Sequence, residues 1–382
     1  GLVFEAAFHL EARAFRRNAI AIVALAVPGV AVAIGATAGI LALAGHVLPF
    51  ISGFTFVHAL VFSAAISATD PIAVVAMFKS LGAPKRLGVL VEGESLLNDG
   101  TAIVFFSMAL GFLSGQHLSA PAAVLDFVRI VGMGALIGAT VAFLAALALR
   151  QVDDAMIEIT ITTIAAYGSF AIAEQLHYSG VIATVVAGVV VGTYARGRGT
   201  SPSTRIAVET FWEYVAFALN SVVFLLIGFE VRVDALLASW QTILVAYAAM
   251  TVGRALVVTS VTTLLSRTRE RMPWRWSVVM TWGGLRGALS MVLALALPKS
   301  FPSRETIITL TFGVVLLSLL VQGLTMAPLL RRLGVSASRA DREEYERLTG
   351  IRRAAVAALD ALSEMVRKGR VHDQVAAPIR KD

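Results

Sequence analysis

Residues 1–330 alternate long apolar runs with short polar stretches, a pattern that predicts helices of membrane-spanning length. A spanning helix needs about 20 predominantly apolar residues. Ten runs reach or approach that length: segments b (19–44), c (54–78), d (87–113), e (121–149), f (155–176), g (178–194), h (206–229), i (235–265), j (274–297) and k (305–330). A shorter run, segment a (1–10), stops at the basic cluster Arg13, Arg16 and Arg17. It reads as the end of a membrane helix whose start lies before Gly1. The expectation is an all-α membrane protein with about 11 membrane segments, the first partial. Beyond Leu330 the chain turns polar, and 341–368 reads as a solvated helix with i,i+4 pairs such as Glu343–Arg347.

Loop charge fixes an orientation. Loops a–b, c–d, e–f, g–h and i–j hold 14 Lys and Arg, counting Arg275 at the edge of j, whereas the other five loops hold 3. By the positive-inside rule the basic set is cytoplasmic, and so is the tail after Arg331 and Arg332. Composition agrees, with 57% apolar and 15% charged residues against about 25% charged in soluble domains. The net charge of +7 sits in loops, so it reports topology rather than nucleic-acid binding. Cysteine is absent, which excludes disulfides and thiolate chemistry. No signal peptide is visible; the protein is expected to be a multi-pass protein of the cell (inner) membrane.

Polar residues inside the apolar runs carry the functional signal, because an ionisable side chain in lipid is expensive. Segment d contains VEGESLLNDG at 91–100. Ser95 and Asp99 share a helix face as i and i+4, as do Glu94 and Asn98. Glu94 and Asp99 point about 140° apart, so they serve different partners, and Asp99 lies roughly 18 Å from the inner end. In segment c, Pro71 removes an N–H and pushes Asp70 off helical angles, so a break is expected with Thr69 and Asp70 at it. In segment j, Gly283, Gly284 and Gly287 loosen the helix around Arg286 at similar depth. Segments c and j are the middle members of the triples b-c-d and i-j-k and run in opposite directions. Interrupted helices in corresponding positions of inverted repeats point to a transporter site at the bilayer midplane. Arg286 needs an anion, and Glu94 is the expected partner, leaving Asp99 free for a cation.

Other polar positions carry less. Glu5 is a candidate for the same cavity. Glu158, Glu174, His177 and Glu230 lie near segment ends and are read as interfacial, and Arg254 inside segment i lacks an assignable partner. The GMGALIG run at 132–138 has no strand before it and is read as helix packing, not a nucleotide loop. The sequence has no HExxH, Walker loop or nucleophile elbow, so no enzyme is expected.

Four stretches together, FEAAFHL from Phe4, ATDPIAV from Ala68, EGESLLNDG from Glu92 and TWGGLRGALS from Thr281, resemble the monovalent cation/proton antiporters. The branch is that of the NhaP-type bacterial and archaeal sodium/proton antiporters and the eukaryotic exchangers, and the likeness runs from Gly1 to about Leu333. The resemblance implies a fold of about thirteen helices with two broken crossing helices, a homodimer, and exchange of Na⁺, with Li⁺ as a further substrate, for H⁺ by alternating access. K⁺/H⁺ exchange is the competing reading; a cation channel or a membrane sensor are the remaining ones. Residue by residue, it implies Asp99 as the ion-binding, proton-exchanging carboxylate, with Ser95 and Thr69 as ligands. Asp70 would support the crossing and hold a water on the ion. Asn98 stands where the electrogenic branch has a second aspartate, which implies electroneutral exchange. Glu94 and Arg286 would be the buried structural pair, and Glu5 an acidic residue near the ion. No cofactor is implied beyond the transported cation. The implied domains are 18–113 and 235–332 as a moving core, 1–17 and 114–234 as linker and dimer domain, and 333–382 as a cytoplasmic tail.

Overall fold

The computed structural model describes residues 1–48, 54–113, 120–197, 202–301 and 303–336, and in the tail 350, 351, 355, 358 and 362. The Glu343–Arg347 pair lies outside the described residues. Helices α1 (Leu2–His9) and α2 (Ala12–Arg17) precede segment b, which comprises α3 (Ala19–Ala24), a π-helical turn at Leu25–Gly29 and α4 (Val30–Val47). Segment c is two helices, α5 (Phe56–Ala65) and α6 (Ile72–Leu81), and segment d is α7 (Lys85–Leu113). Then come α8 (Ala120–Leu149), α9 (Ala155–Gln175), α10 (Gly180–Gly197) and α11 (Pro202–Glu230) for e to h. The short α12 (Val233–Ala238) leads into α13 (Trp240–Leu265), segment i. Segment j is split into α14 (Trp274–Trp282) and α15 (Ala288–Leu295). Segment k is α16 (Arg304–Leu317), a second π-helical turn at Ser318–Gly323 and α17 (Leu324–Arg332).

Six helical stretches among the described residues are long and apolar enough to cross a membrane, from Ala19–Val47 to Arg304–Arg332. Neither broken segment is among them, because each half is too short. The breaks have local causes. Pro71 stands immediately before α6, and Asp70 Oδ1 accepts from the Ile72 N–H at 3.0 Å, satisfying one of the unpaired donors of the new helix. The second break spans Gly283–Gly287, where three glycines in five residues remove side chains that would hold a helix together.

Four apolar clusters organise the bundle, the smallest of them joining α1 and α10 to α7 through Ala7, Leu10, Val185 and Leu96. One gathers residues of α4, α5, α13, α15 and α16, and a second those of α3, α6, α7, α13, α14 and α17. Between them they knit segments b, c, d, i, j and k. The third joins α1 with α8, α9, α10 and α11, around Phe4, Phe8 and Trp212. The GMGALIG run serves this last group as packing: a Cβ on Gly134 or Gly138 would strike the Ser179 or Ala183 carbonyl, so the glycines let α8 lie directly on α10.

Candidate functional site at the helix crossing

The two breaks meet at backbone level. The Asp70 N–H donates to the Leu285 carbonyl at 2.8 Å, so the interrupted parts of c and j form one crossing. Gly287 permits the approach, since a Cβ there would lie 2.6 Å from Asp70 Oδ2. Interrupting α5 frees carbonyls that lipid cannot satisfy, so protein must cover them. Side chains from three elements do so. From α7, Ser95 Oγ donates to the Thr69 carbonyl, and Asn98 Nδ2 donates to the Ser67 carbonyl at 2.9 Å and to Thr69 Oγ1 at 3.2 Å. From the second break, Arg286 Nη1 donates to the carbonyls of Ser67 at 2.7 Å and Ala68 at 3.2 Å. From α15, Ser290 Oγ reaches the Ala68 carbonyl at 3.4 Å.

This corrects the expected ion pair. Glu94 does not pair with Arg286; its carboxylate takes both Nη atoms of Arg254 on α13, each at 2.9 Å. Arg254 Nε also donates to the Met280 carbonyl at 3.0 Å. The reason is rotational. Glu94 faces α13, and Gly284 leaves the space the Arg254 guanidinium fills, because any Cβ there would collide with it. Both partners are buried, Glu94 at 2% and Arg254 at 8% exposure, so only a paired, hydrogen-bonded arrangement is tolerable. Arg286 instead caps the carbonyl end of α5, where the helix dipole is negative. Its Nε contacts Met250 Sδ at 3.0 Å, and its backbone N–H donates to Ser318 Oγ at 3.1 Å in the second π-helical turn. Sequence reasoning missed Arg254 as the strut partner: two arginines at similar depth compete for one carboxylate, and only helix rotation decides between them.

Asp99 differs from its neighbours. It is partly buried on the Ser95 face of α7, and among the described residues its carboxylate has no hydrogen-bond or ion-pair partner. The charged groups acting on it are Asp70 and Glu94, both acidic. Ser95 has committed its proton to Thr69, so its oxygen lone pairs are free for a cation; Thr69 Oγ1 accepts from Asn98 and keeps one. Asp70 spends Oδ1 on α6 and keeps Oδ2. The set therefore offers oxygen acceptors, with the Ser95 proton directed away to the Thr69 carbonyl. Asn98 Oδ1 and Ser63 Oγ are buried without a protein partner among the described residues. Both residues line a cavity, together with Ser67, Glu94, Arg254 and Arg286, whose empty space, mouth included, is about 430 Å³.

Glu5 is not joined to this set by any described bond. It holds His9 Nδ1 through Oε1 at 3.1 Å on α1. Pro71, Gly283, Gly284 and Gly287 all lie at the two breaks.

A multi-span helical protein with two broken helices crossing at backbone level beside an unpaired carboxylate has the architecture of a secondary transporter. Residues 2–332 match the family "Sodium/hydrogen exchanger, transmembrane", and the chain belongs to that family, one of transporters rather than enzymes. It is 39% identical over 355 residues to the Na(+)/H(+) antiporter ApNhaP of Aphanothece halophytica, covering 92% of this chain and 67% of that protein. It is 37% identical over 326 residues to the Na(+)/H(+) antiporter NhaG of Bacillus atrophaeus, covering 84% and 61%. The chain thus spans about two thirds or less of these two relatives' length. The fold is similar to that of the sodium proton antiporter MjNhaP1 from Methanocaldococcus jannaschii, with a TM-score of 0.71 at 18% identity over 87% of this chain and 83% of that one.

Proposed function

We propose that the protein exchanges Na⁺ for H⁺ across the cell membrane, one for one, with cation and proton competing for Asp99. The observation that carries this is the Asp99 carboxylate, without a protein partner among the described residues, one helical turn from Ser95, whose hydroxyl proton is engaged by the Thr69 carbonyl. A carboxylate in such a place holds either a proton or a cation. Loading one displaces the other, because the bound cation favours the ionised form and burial favours the neutral one. Ser95 and Thr69 complete the ligand set, with Asp70 supporting the crossing and holding a water on the ion. The relatives' names, Na(+)/H(+) antiporters, support Na⁺ as the cation. Asn98 in place of a second acid supports electroneutrality, since only one carboxylate on that turn of α7 exchanges its proton.

Segments b–d and i–k move as the core against the remaining helices, which form the static side and the homodimer contact, with the basic loops and the tail in the cytoplasm. Three of the four apolar clusters support this split, two lying largely within the core and one within the static side, and the small fourth, where Ala7, Leu10 and Val185 meet Leu96, is the contact across which the core would move. No ATP is needed; the ion gradients drive exchange.

The test is a proteoliposome assay of internal pH on adding Na⁺, Li⁺ or K⁺. Asp99→Asn and Asp99→Ala are each expected to abolish exchange, and Na⁺-dependent proton flux at the wild-type rate in either would sink the assignment. A larger response to K⁺ than to Na⁺ would make the protein a K⁺/H⁺ exchanger instead.

A further inference from the structure

Well away from the crossing, at the end of the bundle that carries the basic loops, a second joint ties the same segments together. Arg86, in the first turn of α7, spreads its guanidinium over three acceptors. Nε donates to Asn18 Oδ1 at 2.7 Å, Nη1 to the Arg271 carbonyl at 3.0 Å and Nη2 to the Glu270 carbonyl at 2.9 Å. The guanidinium also lies 5.6 Å from the centre of the Trp276 ring at the start of α14, within cation–π range. Asn18, immediately before α3, is itself anchored to the Ala14 carbonyl at 2.9 Å. Glu270 closes the circuit: its carboxylate accepts from the Ala21 N–H at 2.8 Å and the Ile20 N–H at 3.4 Å, capping the open start of α3. Asn18 and Glu270 are both buried, at 6% and 9% exposure. One planar cation thus joins the start of b, the start of d and the i–j loop, a geometry for which arginine's rigid fork is suited and lysine's single ammonium is not.

We propose that Arg86 and Glu270 are positioning residues for transport, holding the two triples of helices as one body. This rests on the reading that the core moves against the remaining helices. The crossing and the Glu94–Arg254 pair join the triples near the middle of the bundle, and the apolar clusters pack them together without directional bonds, so helices can still slide and tilt about that level. The clasp adds a fixed point at the far end of α7, the helix that carries Asp99, so the carboxylate travels with the crossing instead of tilting away from it. Its loss should slow the moving step and leave the ion ligands intact.

The experiment uses the full chain in proteoliposomes, with initial rates of Na⁺-driven proton flux measured against Na⁺ concentration. Arg86→Gln is expected to lower Vmax at least about tenfold while KM for Na⁺ stays within about twofold. Amide hydrogen exchange is expected to quicken together at 18–22 and 268–272. Glu270→Gln, which keeps the shape and one acceptor oxygen, is expected to give a smaller Vmax loss with the same unchanged KM, and it carries the test if Arg86→Gln does not fold. A wild-type Vmax with both amide segments released would overturn the proposal, and so would a raised KM at unchanged Vmax. An inactive Asp99→Asn beside a fully active Arg86→Gln would remove the clasp alone, whereas a fully active Asp99→Asn would remove the underlying transport reading.

Discussion

Two arginines at the level of the crossing have opposite duties. Arg254 neutralises Glu94 in a buried bidentate pair, whereas Arg286 serves backbone carbonyls and has no carboxylate partner among the described residues. Breaking a buried ion pair on one side leaves an uncompensated charge and costs about 3–5 kcal/mol. Glu94→Gln is therefore expected to lower thermal stability sharply. A double-mutant cycle separates the partners: Glu94 and Arg254 should couple by more than about 1.5 kcal/mol, and Glu94 and Arg286 by less than about 0.5 kcal/mol. The reverse ranking would restore the pair expected from sequence. Competition at Asp99 has its own signature. A proton on the carboxylate excludes the cation, so the apparent KM for Na⁺ should rise as pH falls, approaching roughly tenfold per pH unit once Asp99 is mostly protonated. A KM that stays flat across the whole pH range in which the protein exchanges ions would argue that proton and cation use separate groups.

At the scale of elements, the interrupted helices were legible and their partners were not. Asp70-Pro71 and the three glycines at 283–287 break a helix through local chemistry, so both breaks could be placed from sequence. The apolar runs likewise marked the helices, although the π-helical turns at Leu25–Gly29 and Ser318–Gly323 left no recognisable pattern. Which side chains repair the freed carbonyls depends on the rotation of α7 and α13 about their axes, and a sequence does not carry that. Arg86, Asn18 and Glu270 carry no signal in the sequence for the same reason: each looks like an ordinary loop polar residue until three loops converge. The crossing makes a specific demand on position 287, where a Cβ would collide with Asp70 and only glycine's hydrogen fits. Gly287→Ala is expected to force the breaks apart and cut exchange at least tenfold, with secondary structure by circular dichroism unchanged. Pro71→Ala should be milder, because Ser95, Asn98 and Arg286 still hold the opened carbonyls. Equal losses in the two variants would mean that the proline itself maintains the break.

For the whole molecule, the proposed motion has to be accommodated at the small cluster where α1 and α10 meet α7. The clusters around α13 hold the crossing, and the one around Trp212 holds α1 and α8–α11. If exchange is one for one, clamping the membrane potential at different values should leave the initial rate unchanged; a rate that follows the potential would require unequal charges. The crossing also has a consequence for how its importance can be detected. Its most direct link, Asp70 N–H to the Leu285 carbonyl, is made of main chain on both sides. No side-chain scan can delete it: truncating Leu285, whose side chain is buried in the core, would report lost packing and leave the carbonyl's share unread. Only an amide-to-ester replacement at residue 70, which removes the N–H and spares the side chain, would reveal how much the joint holds.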